Sequence, residues 1–239
     1  MKYLYCFAWL VLGMVFSDPA GAEGFVDIFG GNTTFSAANT NESVYQVNAA
    51  TQYNYASQNN SIPNSATGGF RIGGLHKWDH FSLGGAFVLE DYSAMADYPY
   101  PTNPSFSASL KNQQGGNVLQ PGADLMIGVP LKFVRLYGGF GLTTPIMFYN
   151  YTSYDRAANT IDPNASGSSM ALGYNLFIGA RWLISDHFNM FIEDRFSSLL
   201  TSMVVKNSFY NSTYGYYNSS FTYNNLDANR IVFGLGYAW

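Results

Sequence analysis

The sequence predicts an all-β fold, an eight-stranded antiparallel up-and-down transmembrane β-barrel. Three observations lead there. First, 24 of the 239 residues are glycine, 19 are tyrosine and 19 phenylalanine, yet only 11% are charged. With a mean hydropathy close to zero, apolar and polar residues must be finely interleaved. Second, where the interleaving is legible its period is two, the repeat of a strand with two unlike faces. Third, the strand-like segments are joined by connections that alternate between short and long.

The composition also excludes several classes. An aromatic content of 18% with few charges is not that of a disordered chain. A near-zero hydropathy does not supply several helical spans of ~20 apolar residues. Net charge is -4, without a basic run, so no nucleic-acid partner is expected.

At the start, Lys2 precedes the uncharged, mostly apolar stretch Tyr3 to Phe16. Ser17-Asp18-Pro19 breaks it, and Ala20-Gly21-Ala22 supplies small residues suited to a signal peptidase. Residues 1–22 are thus expected to be a Sec-dependent signal peptide, leaving 23–239 as the barrel domain. Cleavage after Ala22 would remove Cys6, the chain's single cysteine, and with it any disulfide or Cys-ligated metal site.

The strands follow in order. Phe25 to Thr34 opens with FVDIFGG. Gly69 to Lys77 and Phe81 to Tyr92 flank the turn Trp78-Asp79-His80. Asn117 to Val129 and Val134 to Tyr149 flank Pro130 to Phe133. Met170 to Ile184 and Phe188 to Leu199 flank Ser185-Asp186-His187, and the eighth strand starts near Ala228. Pro121 and Pro145 each lack a ladder donor and mark a strand end or a bulge. The long connections cover 36–67, 93–116, 150–167 and 201–227. In a membrane barrel with periplasmic termini these lie outside the cell, and the short turns lie in the periplasm.

Alternation assigns faces. Leu172, Tyr174, Leu176, Ile178, Ala180 and Trp182 share one side of the sixth strand; Asn175, Gly179 and Arg181 share the other. With the apolar side outward, Asp27, Arg71, Glu90, Asp124, Arg135, Arg181, Glu193, Arg195 and Arg230 point into the lumen. Aromatic residues are expected on the lipid face, with glycine, alanine and paired charges inside. Arginine suits such a space because its planar fork pairs with two carboxylates at once. An eight-stranded barrel is only wide enough inside for side chains, so these charges are expected to plug it rather than line an ion path. Asp194 breaks the rule. Parity turns it outward, where a carboxylate is costly, so the strand is expected to bulge there or to sit higher.

The end of the chain, IVFGLGYAW, places Ile231, Phe233, Leu235, Tyr237 and Trp239 at every second position. A strand of this kind, with Tyr third from the end and an aromatic last, resembles the terminal signal of bacterial outer-membrane β-barrels. The resemblance implies that Phe233, Leu235, Tyr237 and Trp239 are read by the barrel-assembly machinery. With the strand count, the sorted loops and Tyr137-Gly-Gly-Phe-Gly141, the chain is similar to the small barrels of the OmpA membrane-domain, OmpX/Ail and OmpW-like group. That likeness implies a monomer in the Gram-negative outer membrane, in contact with lipid and lipopolysaccharide and without a cofactor. Members of the group stabilise the envelope, adhere to surfaces or pass small solutes. A narrow passive channel for small or apolar solutes is the alternative reading.

His80-Phe81-Ser82 with Glu90 resembles the His-x-Ser and later Glu of the lipid A 3-O-deacylase family, in which a base near the serine activates it. His80, however, belongs to a periplasmic turn, whereas lipid A occupies the outer leaflet, so no enzyme is expected. His76 and His187 also fall near such turns, without the spacing of a metal site. The segment 37–67 holds seven Asn, and 201–227 holds five Tyr and five Asn. Such stretches either present a surface for glycan, matrix or host protein, or extend the strands as ribbons that pack on one another.

Overall fold

The computed structural model describes residues 22–36, 38–46, 51–60, 62–99, 110–155, 160–161, 165–211 and 215–239. Apart from Ala22, the expected signal peptide lies outside them. Among the described residues the strands are β1 (Ala22–Phe35), β2 (Ala38–Gln46), β3 (Thr51–Asn60), β4 (Ser65–Lys77), β5 (Ser82–Pro99), β6 (Leu110–Pro130), β7 (Val134–Thr143), β8 (Ile146–Asp155), β9 (Thr160–Ile161), β10 (Ala165–Met170), β11 (Gly173–Leu183), β12 (Phe188–Leu199), β13 (Met203–Asn211), β14 (Gly215–Asn225) and β15 (Ala228–Ala238).

Eight of them close a ring, in the order β1-β4-β5-β6-β7-β11-β12-β15 and back to β1. Every pair is antiparallel. Closure continues to the last residue: Gly24 N donates to Trp239 O (3.1 Å), and Trp239 N donates to Gly24 O (3.0 Å). A closed ring leaves no edge strand, so all its backbone donors and acceptors are satisfied without water. The alternation read from the sequence is the alternation of the wall. On β12, Asn189, Phe191, Glu193, Arg195 and Ser197 are buried, whereas Phe188, Met190, Asp194 and Phe196 are exposed. Ile28 is 62% exposed and Ile178 68%, as an apolar outer belt requires.

Among the described residues, the long connections continue the wall as hairpins, the ribbons that the sequence reading held open as its second alternative. Beyond the ring the strands regroup into two sheets: β10-β8-β6-β5, which continues the wall and carries β9 on β8, and the four-stranded β13-β14-β2-β3. These sheets share an apolar core that includes Phe35, Tyr92, Val118, Met147, Met203 and Val205. The seam toward β13 is bridged by side chains: Ser169 Oγ of β10 donates to Val204 O (2.6 Å) and Tyr149 OH of β8 to Lys206 O (2.8 Å).

The waist between ring and sheets is where the irregular residues fall. The segments read as single strands, Val134 to Tyr149 and Met170 to Ile184, each break there. The first breaks at Thr144-Pro145, between β7 and β8; the second at Ala171-Leu172, between β10 and β11. Strand β6 runs through the waist and changes partner at Pro121, from β7 (Gly122↔Thr143) to β8 (Leu119↔Ile146). Neither proline offers an N–H, yet both carbonyls are used: Thr144 N donates to Pro121 O and Ala171 N to Pro145 O. The prolines therefore mark a change of neighbour, a place where a missing donor costs least.

Candidate functional site

The lumen of the ring is the densest collection of polar chemistry among the described residues. Eight of the nine predicted charges form one chain of contacts. Arg181 meets Asp27 at 2.6 Å, and Asp27 meets Arg71 at 3.0 Å. Arg71 continues to Glu193 at 2.8 Å, and Glu193 to Arg195 at 2.7 Å. Arg195 then reaches Asp124 at 2.9 Å and Glu90 at 3.1 Å. Glu90 ends the chain on Arg230 at 3.0 Å. Four arginines face four carboxylates, so the ladder is neutral as a set. These residues are 0 to 2% exposed. No water-sized space therefore opens against them on either side of the wall.

Arg135 stands apart. It is buried at the short-turn end and pairs with Glu23 (3.4 Å), which also meets Lys77. Glu23 went unassigned in the sequence because it directly follows the expected cleavage site.

The lumen is also more aromatic than the sequence reading allowed. Phe25, Tyr137, Phe177, Phe191 and Tyr92 are buried inside, which corrects the expectation that aromatic residues face lipid. Parity already required it, since Phe25 shares a face with Asp27, Tyr137 with Arg135, and Phe191 with Glu193. Glycines make the room. A side chain at Gly139 would strike the Phe177 ring, one at Gly179 the Tyr137 ring, and one at Gly234 the Phe191 ring. Each ring lies across a glycine on a neighbouring strand, as in the aromatic covering of strand glycines used in barrel design. The rings then hold the cations. The Arg71 and Arg181 guanidinium carbons both lie 5.1 to 6.0 Å from the centroids of Phe25, Tyr137 and Phe191. Arg195 lies 4.8 Å from Phe177, and Arg230 5.0 Å from Tyr92. Contacts of this kind stabilise a desolvated cation by roughly 2 kcal/mol each.

Polar side chains that the sequence did not assign to the ladder pack with it. Asn175 Nδ2 donates to Asp124 Oδ1 (3.0 Å), Arg230 Nη2 donates to Ser197 Oγ (2.6 Å), and Tyr92 OH donates to Gln120 Oε1 (2.8 Å). Above this last bond the apolar core of the two sheets seals the lumen.

Asp194 points outward, between Ile178 and Ile231 on the adjacent strands. Register runs unbroken through it, so the bulge expected there is not formed.

The residues of the deacylase-like pattern are not brought together. Ser82 Oγ donates to Gly128 O (3.4 Å), and Glu90 is taken by Arg195 and Arg230. Eight strand residues separate Ser82 from Glu90, roughly 26 Å. His76 and His187 lie at the short-turn end and join aromatic clusters. His76 packs on Trp78 (4.3 Å) and Trp78 on Phe81 (4.5 Å), while His187 stacks on Tyr237 (5.7 Å). Among the described residues, no group of three or more His, Cys, Asp or Glu is arranged to hold a metal ion. Phe233, Leu235, Tyr237 and Trp239 form one exposed outer stripe on β15 and its end. At the opposite height, Phe140, Tyr174 and Phe196 pack as an upper aromatic group.

No protein-family model matches the sequence, and no curated protein is similar to it in sequence. Solved structures do match. The outer membrane protein OprG from Pseudomonas aeruginosa aligns at a TM-score of 0.51 with 14% identity, over 92% of this chain and 97% of that one. The outer membrane protease OmpT from Escherichia coli aligns at 0.50 with 12% identity, over 91% of this chain and 97% of that one. At such identities the likeness concerns the fold. The closed antiparallel ring, its apolar outer belt and these matches together give the chain the fold of the outer-membrane β-barrel proteins.

Proposed function

We propose that this protein resides in the bacterial outer membrane, embedded in lipid and lipopolysaccharide, as a non-conducting barrel that carries a binding surface outside the cell. The carrying observation is the filled lumen. A neutral ladder of eight charged side chains, closed above by an apolar core, supports a plug and argues against a passive channel for small or apolar solutes. A channel selecting ions needs charges that face a water path, whereas here the charges face one another. No enzymatic role is proposed, because Ser82, Glu90 and His80 are each engaged elsewhere or set apart. The outer stripe Phe233, Leu235, Tyr237 and Trp239 is the proposed recognition element for the barrel-assembly machinery. The two-sheet head, built from Asn- and Tyr-rich hairpins, is the proposed contact surface for an extracellular glycan, matrix or host protein, with envelope stabilisation as the companion role.

A chain cut at the waist, with residues 38–60, 95–116, 148–168 and 203–225 replaced by short turns so that both sheets of the head are removed, tests this. The ring should still assemble and migrate in a heat-modifiable way, while binding of cells to coated surfaces falls to background. Binding that survives the cut would place the activity elsewhere.

A further inference from the structure

Two neighbouring strands of the ring carry the same pattern. Tyr174 to Trp182 reads YNLFIGARW on β11, and Phe188 to Phe196 reads FNMFIEDRF on β12. Each points Asn, Phe and Arg inward with the spacing Asn-x-Phe-x-x-x-Arg. Because the strands are antiparallel, Phe177 lies opposite Arg195 and Phe191 opposite Arg181. The phenylalanine of each strand therefore receives the arginine of the other, at 4.8 Å for Arg195 on Phe177 and 5.4 Å for Arg181 on Phe191. A local two-fold axis, passing through the Gly179↔Glu193 pair, relates the two contacts.

The relation extends to the flanking strands. Beside β11, β7 sets Gly139 against the Phe177 ring and Gly141 under Asp124; beside β12, β15 sets Gly234 against the Phe191 ring and Gly236 under Asp27. The next strands, β6 and β1, supply the aspartates within Ala123-Asp-Leu125 and Val26-Asp-Ile28. Arg195 meets Asp124 at 2.9 Å, and Arg181 meets Asp27 at 2.6 Å. One bond has no counterpart. Asn175 Nδ2 donates to Asp124 Oδ1 (3.0 Å), whereas Asp27 Oδ1 and Asn189 Oδ1, both buried over Gly236, have no hydrogen-bond partner among the described residues. Turned end for end, the Asn189 amide gives Asp27 the bond that Asn175 gives Asp124.

We infer that the lumen is closed twice, by two copies of one unit stacked along the barrel. The lower unit, Asp27, Asn189, Phe191 and Arg181, lies toward the short turns. The upper, Asp124, Asn175, Phe177 and Arg195, lies toward the waist. Four strand residues separate the two Phe–Arg rows, roughly 10 Å along a tilted strand. The Phe25 and Tyr137 rings flank the lower unit, and Glu90 with Arg230 flanks the upper. Each unit holds one aspartate and one arginine, so each stays neutral when the other is disturbed. The symmetry breaks on its own axis. Glu193 ties the units by reaching Arg71 and Arg195, and Gly179 opposite it avoids a second, repelling carboxylate. The units are thus seals in series, and opening one leaves the lumen shut. This rests on the closed lumen proposed above.

A single cysteine at Ser197→Cys, beyond the upper unit as seen from the short turns, reports which seals hold. The folded chain in nanodiscs is treated with 2-aminoethyl methanethiosulfonate, which modifies only a thiol it can reach. With Phe177→Ala or Phe191→Ala alone, labelling should stay as slow as without them; with both, it should rise at least about tenfold. Fast labelling in either single variant, or no rise in the double, would overturn the two-seal assignment while the closed lumen stood. Fast labelling without any phenylalanine change would count against the closed lumen itself. Should the double variant fail to fold, the milder Asn175→Ala and Asn189→Ala decide the equivalence. Both should lower the urea midpoint equally with heat-modifiable migration retained, and a loss at 175 with none at 189 would overturn it.

Discussion

The Asp124 carboxylate lies over the bare Cα of Gly141. A methyl group there would meet Asp124 Oδ1 and Asn175 Oδ1 together. The three residues share one register row across β6, β7 and β11 (Asp124↔Gly141, Gly141↔Asn175). The same device recurs on the other side of the ring, where Asp27 and Asn189 both reach over Gly236. Gly141→Ala or Gly236→Ala should thus destabilise the barrel by about 1 to 3 kcal/mol through overpacking. Gly30→Ala is the control. Its added carbon would have only the Thr67 carbonyl oxygen nearby, at 3.6 Å, and unfolding by urea in lipid should show little change. Equal losses at all three positions would contradict the packing account.

Arg195 holds three carboxylates, those of Glu90, Asp124 and Glu193. Arg195→Ala leaves them to repel one another in a dry interior, so folding stability should fall by about 3 to 5 kcal/mol. Arg135→Ala loses only the partly exposed partner Glu23, and the cost should stay below about 1 kcal/mol. Denaturation midpoints of the two variants, compared in the same lipid, read the difference. Permeability should change less than stability in both.

Asp194 offers the opposite sign. An outward carboxylate between Ile178 and Ile231 contributes nothing to the ladder and loses hydration where lipid meets the wall. Asp194→Leu should stabilise the barrel by about 1 kcal/mol. A loss of stability would show that the carboxylate has a partner.

Removal of Trp239 deletes both hydrogen bonds to Gly24 and the ring packed on that glycine. The closing β1–β15 pair then frays at its end. The fraction of heat-modifiable barrel recovered from membranes should fall, and Trp239→Phe should restore most of it.

Much of this was legible in the sequence because a barrel wall has a period of two on every strand. Knowing that Ile178 faces out fixes Arg181 as facing in, and the same step along β12 fixes Glu193 and Arg195. What parity does not give is the partner. It put Arg135 and Arg181 on the same face, and the register sets them side by side (Arg181↔Arg135), yet Arg135 turns to Glu23 and Arg181 to Asp27. The hairpins beyond the waist were harder to read. Their Asn-, Ser- and Tyr-rich strands lack an apolar stripe facing lipid, so their pairing depends on neighbours distant in sequence. Phe25, Tyr137, Phe177 and Phe191 were assigned by residue type rather than by position. The glycines that admit their rings sit on other strands, and a single strand's pattern does not reveal them.

The central claim is that the lumen is closed, and planar-bilayer recording of the folded protein tests it most directly. The ladder and its apolar lid predict a quiet membrane with at most brief, small, unselective events, unchanged by Arg135→Ala. Large, long-lived openings in the unsubstituted protein would contradict it.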